Sequence, residues 1–408
     1  MKNFYVLLIS VASLMMASCG NSVNEPDYND LFSFYITSVT SDRVDFTITC
    51  SDANIRFDYW IMDGSSWDAY DRNATAAFQA HWDDGKYTYT YFNQWAQTEK
   101  IEDFMEDLDP DTYYVLFAYQ CDEKSNKVKV LSIRTFRTLY SGELPGVFSV
   151  SATKKVRFSR GNLQATYDGS TWTWAFADKQ YDYIGDKGAN DAIVYGGMSA
   201  NGTLDLFEWS TDATYYGTYT KETDNYDISG EFIEWGKNVI TNGGYQADMW
   251  RTLNAEEWCY LFGGRAGAKE RIGLATVNGA HGLIILPDNW VQPEGVSFQS
   301  IRMGWNSNYY EERTSGQNAY TDNIYTDDRN DDSDEWDKMQ RNGALFLPAA
   351  GYRFDYLRDI GEDGLYWSST YGAETRTKYV HFSTRVINPQ NWNSKENGRS
   401  VRLVRDVE

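Results

Sequence analysis

Residues 108–119 read Leu108-Asp109-Pro110-Asp111-Thr112-Tyr113-Tyr114-Val115-Leu116-Phe117-Ala118-Tyr119, a turn that opens into an apolar, aromatic run. Pro110 suits the turn, because its ring fixes φ and its nitrogen donates no hydrogen bond. Tyr113 to Tyr119 reads as a strand, since aromatic side chains favour strands. Val128 to Phe136 reads as its partner, joined through Asp122-Glu123-Lys124-Ser125-Asn126. Towards the N-terminus, Phe32, Phe34 and Ile36 alternate, as do Val44, Phe46, Ile48 and Cys50. A period of two marks strands with one buried face. Phe57-Asp58-Tyr59-Trp60-Ile61 makes a further strand. Residues 73–107 carry Phe92, Trp95, Ile101, Phe104 and Met105 at helical spacing and read as more helical than β. The spacing thus predicts an all-β sandwich over residues 31–139 with a helical insertion.

The segment Leu108 to Tyr114 resembles the L-x-P-x-T-x-Y signature of fibronectin type III domains. In that family the tyrosine hydroxyl bonds back to the backbone of the preceding loop, and Tyr114 matches its position. The role this implies is a spacer that lifts the next domain away from a membrane; direct ligand binding is the alternative. Residues 140–146 (YSGELPG) break the composition with Gly and Pro and set a boundary.

Beyond it, residues 147–408 mix short strands, short helices and long polar loops. Phe148 to Ser151 and Lys155 to Phe158 read as strands. In Thr252 to Gly263, Asn254 is a good helix N-cap. Glu257 completes a capping box, with Leu253 and Trp258 at the hydrophobic-staple positions. Gly263-Gly264 stops the helix. A second helix starts near Asp332, carries Glu335, Trp336 and Met339, and ends at Asn342-Gly343. Leu345-Phe346-Leu347-Pro348 then enters a short buried segment.

Three segments here carry a resemblance. Arg251, Glu257, Trp258 and Tyr260 are similar to the R-L-P-T-E-A-E-W-E-Y helix of the formylglycine-generating enzyme family. Gly364-Leu365-Tyr366-Trp367-Ser368-Ser369-Thr370 resembles the G-Y-Y-W-S-S-T strand of the major paralogous domain family described in Fibrobacter. Gly398-Arg399-Ser400-Val401-Arg402-Leu403-Val404-Arg405 resembles its closing strand. The resemblance implies a C-type-lectin-like α+β fold with a small twisted sheet and long loops. A fibronectin-like domain ahead of such a module looks like many Bacteroidetes surface lipoproteins.

Fold alone does not fix function. Formylglycine-generating enzymes use cysteines near the C-terminus, and none follows Cys259 here. Cys259 reads as a small packing residue. C-type lectins hold sugar through calcium with a W-N-D segment. Asn388-Pro389-Gln390-Asn391-Trp392-Asn393 is similar to it, but Ser394 follows in place of an acid. Asn391 and Asn393 could bond sugar hydroxyls, with Trp392 as a stacking face and Trp367 as a further ligand candidate. A polar hairpin whose tryptophan packs on the domain is the other reading. Residues 321–335 concentrate acids, and Asp327, Asp328, Asp331 and Asp332 are the candidates for a calcium site, since calcium favours oxygen ligands. The EF-hand spacing is absent, and a solvated acidic loop is the alternative. His81, His281 and His381 are isolated and show no metal-type spacing. No G-x-S-x-G, H-E-x-x-H or P-loop motif occurs, so an enzyme is not expected.

The first residues, MKNFYVLLISVASLMMASCG, place Lys2 before an apolar run that ends in small residues. This is the layout of a signal peptide over 1–18. The run is too short for a membrane span, which needs roughly 20 apolar residues. Met16-Ala17-Ser18-Cys19-Gly20 resembles the lipobox of bacterial lipoproteins. The resemblance implies lipidation of Cys19, and the expected location is the outer membrane, exposed on the cell surface. Residues 19–30 would be a flexible tether. Of the remaining cysteines, Cys50 and Cys121 could pair or stay as buried thiols; three over so long a chain are not a disulfide framework. The net charge of −22 argues against nucleic acid as a partner. The expected role is adhesion, with a glycan or a surface protein as ligand. A structural subunit of a surface assembly is the alternative, ahead of an enzyme of the formylglycine-generating type.

Overall fold

The computed structural model describes residues 31–85, 87–186, 190, 202–213, 216–218, 230–306, 308–312, 314, 316–327, 335–354, 356–373 and 375–407. They fall into two units, one ending at Leu139 and the other spanning Tyr140–Val407. Both are built mainly from strands in several sheets, with few helices. Among the described residues, no helix is long and apolar enough to cross a membrane.

The first unit contains two three-stranded antiparallel sheets. One orders β1 (Phe32–Val39), β2 (Val44–Cys50) and β4 (Lys100–Met105); the other orders β3 (Asp58–Asp63), β5 (Tyr113–Cys121) and β6 (Val128–Arg137). Alternation on β2 turns Val44, Phe46, Ile48 and Cys50 inward, where they meet Ile61, Leu116, Ala118 and Leu131. Three short helices follow β3: α1 (Gly64–Asp68), α2 (Ala74–Asp84) and α3 (Tyr89–Trp95). They place Phe78, Trp82 and Phe92 over Val115, Phe117 and Tyr119, so β5 is buried on both faces. Phe78 meets Tyr119 edge-on at 4.6 Å. Each such side chain contributes on the order of 1.5–3 kcal/mol when fully buried. Helix α2 also closes an edge: Thr75 Oγ1 and Gln79 Oε1 accept the N–H groups of Val130 and Val128 at 3.0 and 2.8 Å.

The helical reading of residues 73–107 holds only to Trp95. Ile101, Phe104 and Met105 lie on strand β4, paired with β2 through Ile48 and Ile101. Ile101, Asp103 and Met105 share the face of β4 that meets the core, with Asp103 itself exposed. An acid between two apolar residues hides the period of two. Its carboxylate accepts the Tyr59 hydroxyl at 2.9 Å, which accounts for its position. Phe104 points the other way, under the Arg43 guanidinium at 3.7 Å.

Among the described residues, the second unit holds five sheets. The first orders β12 (Arg251–Thr252), β24 (Leu403–Asp406), β8 (Lys155–Phe158) and β7 (Phe148–Ser149). The second orders β10 (Trp172–Phe176), β9 (Leu163–Tyr167) and β11 (Gly202–Leu204). The third orders β17 (Ile324–Tyr325), β13 (Ile272–Val277), β14 (Ala280–Ile285) and β18 (Leu345–Pro348). A five-stranded sheet runs β15 (Gly304–Asn306), β16 (Tyr309–Glu311), β23 (Val386–Ser394), β22 (Arg376–Phe382) and β21 (Gly364–Tyr371). A small hairpin pairs β19 (Tyr352–Arg353) with β20 (Leu357–Arg358).

The five-stranded sheet lies between two cores. Tyr366, Val380, Phe382 and Ile387 join Trp258, Leu261 and Phe262 on one face. Leu365, Trp367 and Tyr379 join Phe207, Trp209 and Trp235 on the other. Burial on both faces explains the nearly unbroken apolar start of β21. Gly364 has no room for a side chain, since a Cβ would overlap the ring of its cross-strand partner Phe382.

Helix α4 (Ala255–Cys259) carries the expected capping box: Asn254 Oδ1 accepts the Glu257 N–H at 2.9 Å, and Glu257 Oε2 accepts the Asn254 N–H at 3.0 Å. Leu253 and Trp258 are both fully buried. The last turn is π-helical, Tyr260–Gly264, before the chain leaves at Arg265. Helix α5 (Glu335–Arg341) buries Trp336 and Met339; residues 332–334, where its start is expected, lie outside the described residues.

Candidate functional site

The segment Asn388 to Asn393 is not a loop: it lies on strand β23, which forms a hairpin with β22, as the polar-hairpin reading has it, but with Trp392 exposed and not packed on the domain. The register slips by one residue between Tyr379 and His381, which leaves Pro389 at a bulge. A proline fits there because the ladder asks nothing of its missing N–H. β23 pairs with β16 only through Val386 and Ile387, so the outer edge beyond them lacks a strand among the described residues. The Lys395 N–H donates to Thr375 O at 3.1 Å. Two residues along at a time, the hydrogen-bonded pairs are then Thr377 with Asn393 and Tyr379 with Asn391. The N–H groups of Trp392 and Ser394 therefore point to the open edge.

Asparagine side chains take those groups. Asn391 Oδ1 accepts the Trp392 N–H at 2.9 Å, and Asn393 Oδ1 accepts that of Ser394 at 2.8 Å. Asn388 Oδ1 accepts the Gln390 N–H at 3.0 Å. The Asn391 amide nitrogen also stands 3.5 Å from His381 Nδ1. His381 Nε2 in turn contacts Asp363 Oδ2 at 2.7 Å. The two asparagines expected to bond a ligand thus spend their amides on the strand itself. An edge dressed this way resists pairing with another chain.

Strand alternation separates the remaining candidates. Asn391 and Asn393 share a face with Tyr379 and Thr377, while Trp392 stands on the opposite face beside Lys378. Asparagine amides and the Trp392 ring on one ligand, as a W-N-D-like loop would offer, is ruled out by this geometry. Trp367 is corrected too: it is 1% exposed, its Nε1 donates to Phe207 O at 2.6 Å, and the Arg399 guanidinium covers its ring at 4.2 Å. It is a core residue. Trp392 is 58% exposed. The Arg376 guanidinium lies 4.8 Å from its ring centre, and Lys378 Nζ donates to Gln390 Oε1 at 3.2 Å. The sequence reading missed Arg376, Lys378 and Gln390. The alternation of Arg376, Lys378 and Val380 against Thr377 and Tyr379 was the available signal.

Of the acidic candidates, Asp327 has a structural position. Its Oδ2 accepts from Asn278 Nδ2 at 2.9 Å, its N–H donates to Asn278 Oδ1 at 2.8 Å, and its Oδ1 accepts the Asp337 N–H at 3.3 Å in the first turn of α5. A carboxylate at a helix N-terminus is favourably placed. Asp328, Asp331 and Asp332 lie outside the described residues, as does Cys19. Among the described residues, no group of three His, Cys, Asp or Glu side chains is placed to hold a metal ion.

Cys50, Cys121 and Cys259 are free thiols. Burial pushes the Cys259 thiol up, against the opposing pull of Lys378. In the first unit, a depression of about 300 Å³ is lined by Thr37, Thr47, Glu102 and Phe104, among others. Two of its carboxylates are already engaged, Asp45 with Arg43 and Asp103 with Tyr59.

No protein-family model matches the chain, and neither a curated protein nor a solved structure matches it.

Proposed function

We propose that the protein is a lipid-anchored binding protein of the cell envelope, held in the outer membrane through Cys19 and exposed at the cell surface. Residues 31–139 form a fibronectin type III-like stalk. Residues 147–408 form a C-type-lectin-like head that binds a glycan or a surface protein. The stalk reading is supported by the Tyr114 hydroxyl, which accepts the Asp109 N–H at 2.8 Å, and by two packed sheets. The lipobox-like Met16-Ala17-Ser18-Cys19 supports the anchor.

The binding role is carried by one observation. Much of the five-stranded sheet is packed on both faces, yet its outer end holds an indole, Trp392, in solvent. A large aromatic with one free face is a suitable platform for a sugar ring or an apolar anchor. A glycan array probed with the full chain tests this. Binding that is lost in Trp392→Ala supports it; a blank array and a blank pull-down on surface proteins refute it.

A structural subunit of a surface assembly is the second reading. It is favoured by the β19–β20 hairpin, where Phe354 and Tyr356 stand about half exposed around the Arg358 guanidinium. Aromatic and arginine side chains are enriched at protein interfaces. Cross-linking on intact cells separates the readings: an assembly partner that disappears in Tyr356→Ala would favour this one.

A further inference from the structure

We infer that the outward face of β22 and β23 at Arg376, Lys378 and Trp392 is a binding site for an acidic glycan, one whose sugar rings bear carboxylates. This rests on the binding reading above and specifies its ligand class.

Lys378 and Trp392 face each other across the two strands, and Arg376 faces Ser394 one step along. Lys378 with Trp392 is a non-hydrogen-bonded pair, the closer kind, with Cα atoms about 4.5 Å apart. All four side chains share a face, and Gln390 is joined to them through Lys378 at 3.2 Å. The cluster therefore offers an exposed indole, two cations and a side-chain amide on a rigid ladder.

The charges make the ligand class specific. The chain holds 59 acids against 37 bases, and its arginines are often paired: Arg251 with Glu257 and Asp406, Arg405 with Glu143, Arg302 with Asp322. Neither Arg376 nor Lys378 has a carboxylate within ion-pair distance among the described residues. Arg376 lies against the indole instead, and Lys378 against an amide oxygen. Among the described residues, Glu396 lies beside the Ser394 hydroxyl at 3.5 Å, and Glu256 on α4 near the Cys259 thiol. Two cations with no carboxylate partner among the described residues of so acidic a protein complement an anion brought by a ligand.

The chemistry then divides naturally. The indole stacks on the apolar face of a pyranose ring. Arg376 offers a planar fork that matches a carboxylate, and Lys378 adds a point charge. Gln390 can bond a ring hydroxyl. A neutral sugar would use the indole and the amide alone.

Isothermal titration calorimetry on the full chain tests this with three probes: tetragalacturonate, its methyl ester and a hyaluronan hexasaccharide. At least one acidic probe should bind, and the methyl ester should bind at least tenfold more weakly than tetragalacturonate if that is the one. Trp392→Ala and Arg376→Ala should each weaken binding at least tenfold, and Arg376→Lys should not restore it. Both residues are exposed, so thermal unfolding should be unchanged and will confirm that the variants fold. Failure of both acidic probes, ester binding equal to that of the acid, or indifference to Arg376→Ala would overturn the acidic site. If a neutral glycan on the array still binds and needs Trp392, the binding role stands and only this inference falls.

Discussion

The side-chain carbonyl of Asn391 accepts the backbone N–H of the next residue, Trp392, at 2.9 Å, and Asn393 repeats the arrangement with Ser394. Both N–H groups would otherwise stand free on the edge of a sheet. An unpaired edge is a template for another chain, and side chains that occupy its donors blunt it.

Replacing Asn391 and Asn393 together by valine keeps strand propensity and removes both acceptors. The double variant should fold and self-associate, seen as concentration-dependent sedimentation. The parent chain should not do so through this edge. A variant that sediments like the parent at every concentration would show that the asparagines do not guard the edge.

In the first unit, the Tyr114 hydroxyl holds the turn at Asp109. Tyr114→Phe deletes the acceptor and leaves the ring in place against Phe136. The loss should be about 1 kcal/mol, the usual net value of a hydrogen bond, rising towards 3 kcal/mol if the Asp109 N–H is left without water. Urea unfolding followed by a probe confined to this unit measures it.

Tyr114 also shows what could be read in advance. Its turn is local chemistry, in which a proline, a threonine and a tyrosine sit at fixed offsets, and local chemistry survives in a sequence. The same holds for the Asn254–Glu257 capping box and for the alternation on β2. What was not legible depends on partners far away in the chain. Strand β4 was obscured because Asp103 takes an apolar position of the alternation, where its carboxylate accepts the hydroxyl of Tyr59, 44 residues away. Asn388 to Asn393 looked like a ligand loop because polar, amide-rich composition is common to loops and to guarded edges. Trp367 and Trp392 are equal as letters; only the packing of Phe207 and Arg399 around one of them sets them apart.

Asp58 should make the first unit sensitive to pH. Burial raises its carboxyl above the ordinary value of 3.8, against the N–H of Tyr59 and the hydroxyl of Tyr119, which favour the charged form. The folded state therefore holds this proton more tightly than the unfolded chain. Stability from this group is greatest at a pH below 3.8, declines as pH rises through the folded pKa, and is level above it. Asp58→Asn stays neutral, and can still accept from Tyr59 while donating to the Tyr119 oxygen. The variant should gain on the parent as pH rises from 3.5 to 7, then keep a constant lead. Parallel urea curves across that range, with no change in their separation, would contradict the assignment.

The two tryptophans of the candidate site should behave in opposite ways. Trp367 is packed among Phe207, Tyr379 and Arg399, so Trp367→Ala opens a cavity and removes one of the two N–H donors to the Phe207 carbonyl. A loss of roughly 3–5 kcal/mol is expected for such a truncation, and the second unit should unfold well below its normal temperature. Trp392→Ala removes an indole that is 58% exposed and lies beneath the Arg376 guanidinium. Its effect on stability should stay within about 0.5 kcal/mol, as for other surface changes. Thermal unfolding of both variants, followed by glycan binding of the Trp392 variant alone, separates packing from recognition. A Trp392→Ala chain that unfolds as early as Trp367→Ala would mean that this indole holds the fold together and is not available to a ligand.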